Sequence, residues 1–469
     1  LEQLFADVAA YNAMVHVPVS IPTLVDLAVR TALSRRTVSH ITFPVDIQEA
    51  DAELVPFEGG LGVVRPPETA PVLNQPRVLP EEEHVRRAAA VLNEGTSVVV
   101  LAGAGALAAR AGLIDVADRL AAPIVKTLPG KAAVPDDHPL TTGGIGLLGT
   151  RPSEEAMEQA DTLLMVGTNF PYTKYLPEKA RLVQIDLDAT RVGNRLPVEV
   201  PLVGDAAPTL ALLGPLLERK RDRSFLEQAQ EAMGRWRKQM AHLENPTRQP
   251  IQPQYLMRVI DRLADGDAVL SADSGTIATW AARHFAIRDG REFFLSSNLA
   301  SMACGLPYAI AAQIAHPGRQ CIAFVGDGGF AMLMAEFLTA ARYELPIKVF
   351  VVNNGVLGQI LWEQMVLGFP EHGVRWERGA DFAPWARACG GHGARVEDPA
   401  GLEAAVGEAL AHPGPALVDV VVNPDEPPMP PKVHYEQAKG FAEAFLKGQP
   451  RRAAIASTLF RDTFDHWGD

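Results

Sequence analysis

The sequence predicts an α/β protein in which doubly wound parallel sheets occupy successive domains. Short apolar runs typical of buried strands alternate with stretches of helical periodicity, which favours parallel strands joined by helices. Several runs end in glycine-rich or polar turns, as expected at the ligand-binding edge of such a sheet. Proline-rich stretches divide the chain of 469 residues into several parts, in keeping with roughly 100–200 residues per domain.

The composition excludes several classes of function. Apolar residues make up 47% and charged residues 21% of the chain, which is ordinary for a globular protein. The net charge of −13 argues against nucleic-acid binding, which needs clustered Lys and Arg. No stretch reaches the roughly 18 apolar residues of a membrane span. The cysteines fit no metal-binding pattern and indicate a cytoplasmic protein, and the apolar runs around Cys304 and Cys321 predict core positions for both.

The first 48 residues are interpreted as the end of a domain. A helical pattern runs from Ile21 to Leu33, and an apolar, strand-like run follows from Val38 to Val45. Residues 49–80 are polar and proline-rich, which is typical of a linker. Leu1–Phe5 resembles the interior of a sequence, so we expect the chain to be truncated, cleaved or incompletely observed at this end.

Residues 81–213 are predicted to form a central α/β domain that starts with a helix at Glu81–Asn93. Its predicted strands are Val98–Ala102, Pro123–Thr127, Thr162–Gly167 and Leu182–Asp186. A charged helical connector at 214–253 follows, and prolines mark its end.

Residues 254–430 are predicted to form the last α/β domain. Its predicted strands are Ala268–Ser271, Glu292–Leu295, Gln320–Val325, Ile347–Asn353 and Ala416–Val422. A proline-rich stretch ends this sheet, and residues 431–469 form a helical tail.

The strongest functional signal is a Gly-Asp-Gly-Gly sequence after one predicted strand and an Asn-Asn pair at the end of the next. Asp327 and Asn354 stand at these strand ends, and 24 residues separate Gly328 from Asn353. Because ligands bind at the carboxyl ends of parallel strands, we expect both side chains to face one point. Carboxylate and amide oxygens suit Mg²⁺, which commonly shares a phosphate. Gly328 and Gly329 would let the backbone approach that phosphate at a helix N-terminus.

Gly-Asp-Gly followed by Asn-Asn is the signature of thiamine-diphosphate enzymes. Residues 1–445 resemble the branch that contains pyruvate oxidase and pyruvate dehydrogenase (quinone), and more distantly acetolactate synthase. The segments that carry this resemblance are Gly167–Tyr172, Gln184–Asp186, Trp280–Arg283, Arg319–Gln320, Gly326–Met334, Leu345–Lys348 and Glu436–Phe441.

The resemblance implies the thiamine-diphosphate-binding fold, with a pyrimidine-binding, a central and a diphosphate-binding domain. Residues 1–48 match only the end of the first domain, which would therefore be incomplete. The glutamate that activates the cofactor in this family would lie before Leu1, so no residue of this sequence is assigned that role.

In the diphosphate-binding domain the resemblance implies three sets of contacts. Mg²⁺ would be held by the side chains of Asp327 and Asn354 and by the carbonyl of Val356. The cofactor would be contacted by Ala300, Ser301, Met302, Asp327, Gly328, Gly329 and Asn354. The loop that lines the active site would consist of Leu357, Gly358 and Gln359. For Met302, plain core packing is the alternative.

In the central domain the resemblance implies FAD. The matching positions are Gly146, Leu147, Leu148, Thr168, Asn169, Phe170, Pro171, Tyr172 and Asp186. The chain departs from the oxidase pattern at Pro129 and Thr173, where an arginine is expected, and at Gln359, where a phenylalanine is expected. The alternative is a central domain that keeps the fold without a flavin.

The resemblance implies thiamine-diphosphate- and Mg²⁺-dependent decarboxylation of a 2-oxo acid, pyruvate by default, with oxidation through FAD to a quinone. An acetolactate-synthase-like carboligase or a non-oxidative decarboxylase is one alternative. A non-catalytic fragment without the activating glutamate is another. The family also implies a homo-oligomer, either a dimer or a tetramer.

The C-terminal tail carries an apolar stripe at helical spacing, formed by Ile455, Leu459, Phe460, Phe464 and Trp467 after Arg451-Arg452. Such a helix can lie weakly on the inner face of a membrane. The alternative is a helix packed on the protein itself, because the acidic residues of the tail would oppose anionic lipid.

Overall fold

The computed structural model describes residues 2–50, 57–59, 62–64, 77–288 and 290–464. The chain divides into two compact units, Leu1–Arg77 and Val78–Asp469. The remainder of the predicted linker, residues 51–56, 60–61 and 65–76, lies outside the described residues.

The first unit contains a parallel pair of strands and an antiparallel pair. Its elements are α1 (Glu2–Phe5), β1 (Tyr11–Met14), α2 (Ile21–Arg35), β2 (Ser39–Thr42), α3 (Val45–Gln48), β3 (Phe57–Gly59) and β4 (Gly62–Val64). The predicted first helix is confirmed and extends two residues further, whereas the strand after it is shorter than predicted.

The second unit begins with a six-stranded parallel sheet. Its strands are β5 (Val98–Ala102), β6 (Ile124–Lys126), β7 (Thr141–Gly144), β8 (Thr162–Val166), β9 (Arg181–Asp186) and β10 (Val200–Val203), in the order β10-β9-β8-β5-β6-β7. The helices of this part are α4 (Glu82–Glu94), α5 (Arg110–Arg119), α6 (Arg151–Gln159), α7 (Ala206–Leu213) and α8 (Ser224–Leu243).

A second six-stranded parallel sheet follows. Its strands are β11 (Val269–Ala272), β12 (Glu292–Phe294), β13 (Cys321–Gly326), β14 (Lys348–Asn353), β15 (His392–Val396) and β16 (Ala416–Val421), in the order β12-β11-β13-β14-β16-β15. The first helices here are α9 (Pro253–Leu263), α10 (Thr276–His284), α11 (Gly305–Ala315), α12 (Asp327–Leu333) and α13 (Glu336–Arg342). The remaining helices are α14 (Gly358–Val366), α15 (Ala383–Ala388), α16 (Leu402–Ala411), α17 (Tyr435–Leu446) and α18 (Arg452–Phe464).

These two sheets confirm the predicted α/β class. The strands β5, β8 and β14 are buried along their whole length, because helices cover both faces of a parallel sheet. Cys304 and Cys321 are buried, as predicted. The sequence prediction missed β7, β10 and β15, each of which lies at an edge of its sheet.

The C-terminal helix α18 packs on the protein itself. Ile455 is buried and Leu459 is half-buried, and both belong to an apolar cluster that includes Trp362 of α14. Arg248 forms an ion pair of 2.6 Å with Asp462 of this helix. Trp467 lies outside the described residues. In the described part of the chain, no helix is long and apolar enough to cross a membrane.

A buried polar cluster connects the central sheet to the segment after α10. The carboxylate of Asp136 accepts hydrogen bonds from Nζ of Lys126 at 2.6 Å and Nζ of Lys131 at 2.8 Å. It also accepts the backbone N–H of Ile287 at 2.8 Å. Burial alone would raise the pKa of Asp136, but the charges of the two lysines outweigh it and lower the pKa to about 2.

We predict that Asp136→Asn lowers the free energy of unfolding by about 3 kcal/mol at neutral pH, because two buried ammonium groups lose their counter-charge. Asp137→Asn, which changes the exposed neighbour, is the matched control and should leave stability unchanged. Urea unfolding of the three proteins measures the difference.

The pH dependence provides a second test. Because the folded pKa of Asp136 lies below its ordinary value of about 4, the ionised carboxylate stabilises the fold above that pH. This contribution is lost as the pH falls towards 2. The difference in stability between the wild type and Asp136→Asn should therefore shrink as the pH falls below about 4 and vanish only near pH 2; a constant difference would contradict the assignment.

Candidate functional site

Asp327 and Asn354 lie at the same edge of the C-terminal sheet. The strands β13 and β14 pair directly in parallel, with Gly326 opposite Val352. Asp327 starts α12 immediately after β13, and Asn354 follows the last residue of β14. The backbone N–H of Gly355 donates to Oδ2 of Asp327 at 2.9 Å and joins the two turns. The structure thus brings together the two residues that the sequence predicted to face one point.

The carboxylate of Asp327 is 6% exposed. Besides the N–H of Gly355, its Oδ2 accepts the indole N–H of Trp376 at 3.1 Å. Burial raises the pKa of Asp327 to about 6, although these N–H groups oppose the shift. Burial makes it costly to ionise a carboxylate. A bound cation offsets this cost, because an opposite charge favours the ionised form.

The donor atoms around Asp327 fit a Mg²⁺ ion. The amide Oδ1 of Asn354 accepts a hydrogen bond from the backbone N–H of Val356 at 3.1 Å, and this bond closes the turn after β14. Within the described residues, no group of three or more His, Cys, Asp or Glu side chains is placed to hold a metal ion. A cation here would therefore be held by one carboxylate, an amide oxygen and a backbone carbonyl, an all-oxygen set that suits Mg²⁺ when phosphate oxygens complete the shell.

Gly328 lies in a tight cradle formed by three side chains. An added Cβ would lie 3.1 Å from Leu357, 3.2 Å from Trp376 and 3.6 Å from Met302. Of these neighbours, Leu357 and Met302 were predicted as cofactor contacts, whereas Trp376 was not. Glycine at this position therefore lets these three side chains pack closely over the start of α12, where backbone N–H groups are the kind of group that binds an anion.

Asp273 is a further residue of this edge that the sequence prediction missed. It follows β11, is fully buried, and accepts the backbone N–H groups of Ser274 at 2.9 Å and Cys304 at 3.1 Å through Oδ1. Its Oδ2 has no hydrogen-bond partner. A Cβ on Gly329 would lie 1.9 Å from this oxygen, so glycine is required for α12 to approach the sheet. The Asp-Ser-Gly sequence after a predicted strand was the signal that could have identified it.

The segment Ala300–Met302, which was predicted to contact the cofactor, has an unusual backbone. Ala300 and Ala303 adopt left-handed conformations, with φ of 49° and 68°. The N–H of Ala300 donates to the carbonyl of Ser296 at 2.9 Å, and that of Ser301 to the Ser296 hydroxyl at 3.1 Å. Such strain in non-glycine residues concentrates at functional sites, and here it places Met302 beside the Gly328 cradle.

The predicted active-site loop packs against the start of α10. A Cβ on Gly358 would lie 3.0 Å from the methyl group of Thr276, so α10 and α14 approach closely at this glycine. The Leu357 N–H donates to the carbonyl of Val374 at 2.8 Å. The amide of Gln359 donates to the Glu363 carboxylate at 3.0 Å on the same helix.

The positions implied for a flavin lie in the loops after β7 and β8 and at the last residue of β9. Gly146 has a φ of +97°, and a Cβ on it would lie 3.6 Å from the Phe170 ring. The rings of Tyr172 and Phe170 make an edge-to-face contact with their centroids 5.5 Å apart, and the Tyr172 ring is largely exposed. The structure therefore brings the two loops together.

The remaining flavin positions differ in their surroundings. Thr168 packs on Gly103, where an added Cβ would lie 2.4 Å from the threonine. Asn169 accepts a hydrogen bond from Arg195 at 2.9 Å. Asp186, buried at the end of β9, accepts the N–H of Asp188 at 3.0 Å. The other positions in these loops are the exposed Leu147, the half-buried Leu148 and the exposed Pro171.

Comparisons with known proteins agree with this geometry. Residues 273–420 match the family described as thiamine pyrophosphate enzyme, C-terminal TPP binding domain. Residues 85–213 match the thiamine pyrophosphate enzyme central domain. Thiamine pyrophosphate is another name for thiamine diphosphate.

Three relatives illustrate the range of similar proteins. A thiamine pyrophosphate-containing protein of Bacillus subtilis is 41% identical over 447 residues, which cover 95% of this chain and 76% of the relative. Pyruvate oxidase of Lactiplantibacillus plantarum is 29% identical over 94% of this chain and 73% of the relative. The large subunit of acetolactate synthase isozyme 1 from Escherichia coli is 27% identical, with 90% and 75% covered.

The two matched domains and the relative at 41% identity lead to one conclusion. The Gly328 cradle, the buried Asp327 carboxylate and the turn Asn354–Val356 (the Asn turn) all lie within residues 273–420, the range that matches that family's C-terminal TPP binding domain. The chain belongs to the thiamine-diphosphate-dependent enzymes of the pyruvate oxidase and acetolactate synthase family.

Proposed function

We propose that this protein decarboxylates a 2-oxo acid, with pyruvate as the simplest substrate, and passes the electrons through FAD to a quinone. The observation that carries the proposal is the arrangement of Asp327, Asn354 and the Gly328 cradle at one sheet edge. When bound there, thiamine diphosphate supplies the electron sink that allows carbon dioxide to leave a 2-oxo acid.

The chain's own residues would hold and shape the cofactor. Asp327, Asn354 and the carbonyl of Val356 would bind Mg²⁺, and the backbone at Gly328 and Gly329 would receive the diphosphate. Their role is positional, because binding at fixed points removes much of the entropic cost of reaction.

The remaining cofactor contacts would enclose the rings. Met302 would support the cofactor from the side of the strained segment 300–303, where Ala300 and Ser301 would face the pyrimidine. Leu357 and Gln359 would line the space for the substrate, and Gly358 would keep α14 close to α10. These side chains would exclude water from the reacting carbon and so strengthen the electrostatic interactions inside the site.

The flavin part of the proposal is supported by the meeting of the loops at Gly146 and Phe170. The exposed ring of Tyr172 and the exposed Leu147 beside these loops would give a flavin an apolar surface. FAD bound there would provide an acceptor for the electrons of the decarboxylated substrate.

A carboligase is the second candidate, in which a second 2-oxo acid accepts the decarboxylated product. Gln359 favours it, because this position of the loop carries a polar amide where the oxidases carry a phenylalanine. Acetolactate synthases are 27 to 31% identical to this chain, which is as high as the 29% identity of pyruvate oxidase.

We also propose that the protein acts as a homo-oligomer, with a dimer as the smallest unit. Several large apolar side chains that are near the site residues in the sequence are exposed, including Leu299, Tyr308 and Met332. Tyr308 and Met332 belong to α11 and α12, which both pack against β13. Covering these side chains with a second copy would remove apolar surface from water.

We predict that Asp327→Asn weakens Mg²⁺-dependent binding of thiamine diphosphate at least about a hundredfold, because the only carboxylate among the proposed ligands is lost. The control is Asp398→Asn, which changes an exposed aspartate that likewise accepts a backbone N–H. Calorimetric titration with the cofactor at fixed Mg²⁺ measures both. Equal binding by Asp327→Asn and wild type would refute the assignment of this edge as the cofactor site.

We predict that a panel of 2-oxo acids gives carbon dioxide release with pyruvate, and that FAD with an artificial electron acceptor increases the rate at least about tenfold. A yellow protein with flavin absorbance is expected. A colourless protein that releases carbon dioxide and forms acetolactate without an acceptor would replace the oxidase proposal with the carboligase.

A further inference from the structure

Trp376 reaches the metal-binding edge from a separate part of the sequence. Its indole N–H donates to Oδ2 of Asp327 at 3.1 Å, although 49 residues separate the two. Its backbone N–H donates to the carbonyl of Gly355 at 3.0 Å. The residue therefore contacts both turns that carry the proposed Mg²⁺ ligands.

The backbone at Trp376 runs antiparallel to the Asn turn and is hydrogen-bonded to it. Val356 and Arg375 form an antiparallel bridge. The Leu357 N–H donates to the carbonyl of Val374 at 2.8 Å. Because these bonds hold the main chain from Val374 to Trp376 against residues 355–357, the backbone at Trp376 is fixed by the fold.

Side chains reinforce this arrangement from the other side. Arg375 binds the carboxylate of Glu371 through two hydrogen bonds of 2.7 and 2.9 Å. The amide of Gln449, which follows α17, donates to the same carboxylate at 2.9 Å and accepts the Glu371 N–H at 2.8 Å. A bidentate pair of this kind is specific in geometry as well as in energy. The segment from Glu371 to Trp376 is thus tied to the C-terminal helices as well as to the Asn turn.

Two donors on one oxygen restrict the Asp327 carboxylate. Oδ2 accepts the N–H of Gly355 at 2.9 Å and the indole N–H of Trp376 at 3.1 Å. Rotation of the carboxylate would break both bonds, so it presents a single orientation to a cation. The Trp376 ring also closes over Gly328, because an added Cβ there would lie 3.2 Å from the ring.

We infer that Trp376 is a positioning residue for the divalent cation and diphosphate of the bound cofactor, an inference that rests on the proposed function. Its indole N–H orients Asp327 before the cation arrives, and its ring covers the glycine turn that receives the diphosphate. Such preorganisation lowers the cost of binding.

The test distinguishes the contribution of the indole N–H to Mg²⁺ binding from that of the aromatic ring. Trp376→Phe keeps an aromatic ring and removes the donor. With thiamine diphosphate in excess, its Kd for Mg²⁺ by isothermal titration calorimetry should be about tenfold higher than that of the wild type, as expected for a lost hydrogen bond to a charged group. At saturating Mg²⁺ and cofactor, kcat should change by less than about twofold, because Trp376 does not touch the reacting carbon. Trp376→His keeps a ring N–H and should recover part of the affinity.

Trp385→Phe is the matched control. Its indole N–H donates to the carbonyl of Met334 at 3.2 Å in the same domain. This variant loses a comparable bond that does not involve Asp327, so its Kd for Mg²⁺ should equal that of the wild type. Thermal unfolding without Mg²⁺ should give the same midpoint for Trp376→Phe and Trp385→Phe.

Two results would overturn the inference. One is a Kd for Mg²⁺ in Trp376→Phe equal to that of the wild type. The other is tighter binding, which would mean that the indole obstructs the cation. Either result leaves the proposed function intact if the wild type binds Mg²⁺ and thiamine diphosphate. A wild type that binds neither would refute the proposed function itself.

Discussion

The burial of one carboxylate at the end of β13 is the constraint on which the site depends. Asp327 stays ionised at its buried position only if nearby groups compensate its charge. The N–H groups of Gly355 and Trp376 supply part of that compensation, and a bound cation would supply the rest. The direct parallel pairing of β13 with β14 puts the Asn turn within reach. The glycines of α12 let the start of this helix pack closely on Asp273 at Gly329 and on Trp376 and Leu357 at Gly328.

The sequence predicted the centre of each sheet well and the edges poorly. Central strands such as β8 and β14 are buried on both faces, so they are continuous apolar runs that stand out in the sequence. The missed strands β7, β10 and β15 are all edge strands. They contain two glycines, a proline and a polar His-Gly-Ala-Arg stretch respectively. An edge strand pairs on one side only and needs less apolar character, which removes the signal.

The candidate site shows a similar division. Asp327, Asn354 and Gly328 were predictable because each stands at or next to the end of one of two consecutive strands, which pair directly in the structure. Asp273 also stands at a strand end and could have been found in this way. Trp376 could not, because its contact with Asp327 depends on a loop that folds back across many residues. No local spacing indicates such a contact, and only the antiparallel bridge of Val356 with Arg375 shows why the indole arrives there.

The helix α10 links the proposed cofactor site to the loops of the central sheet. Its first residue, Thr276, packs on Gly358. The helix ends with Arg283 and His284, and its length from Thr276 to His284 is about 12 Å. The guanidinium of Arg283 donates to the carbonyls of Gly149 at 3.0 Å and Leu147 at 3.1 Å. Because one rigid helix holds both ends, the spacing between the diphosphate edge and the loop after β7 is fixed. In the proposed oxidation, the fate of the electrons would therefore depend on what the loops at Gly146 and Phe170 bind, because the fold sets the distance to these loops.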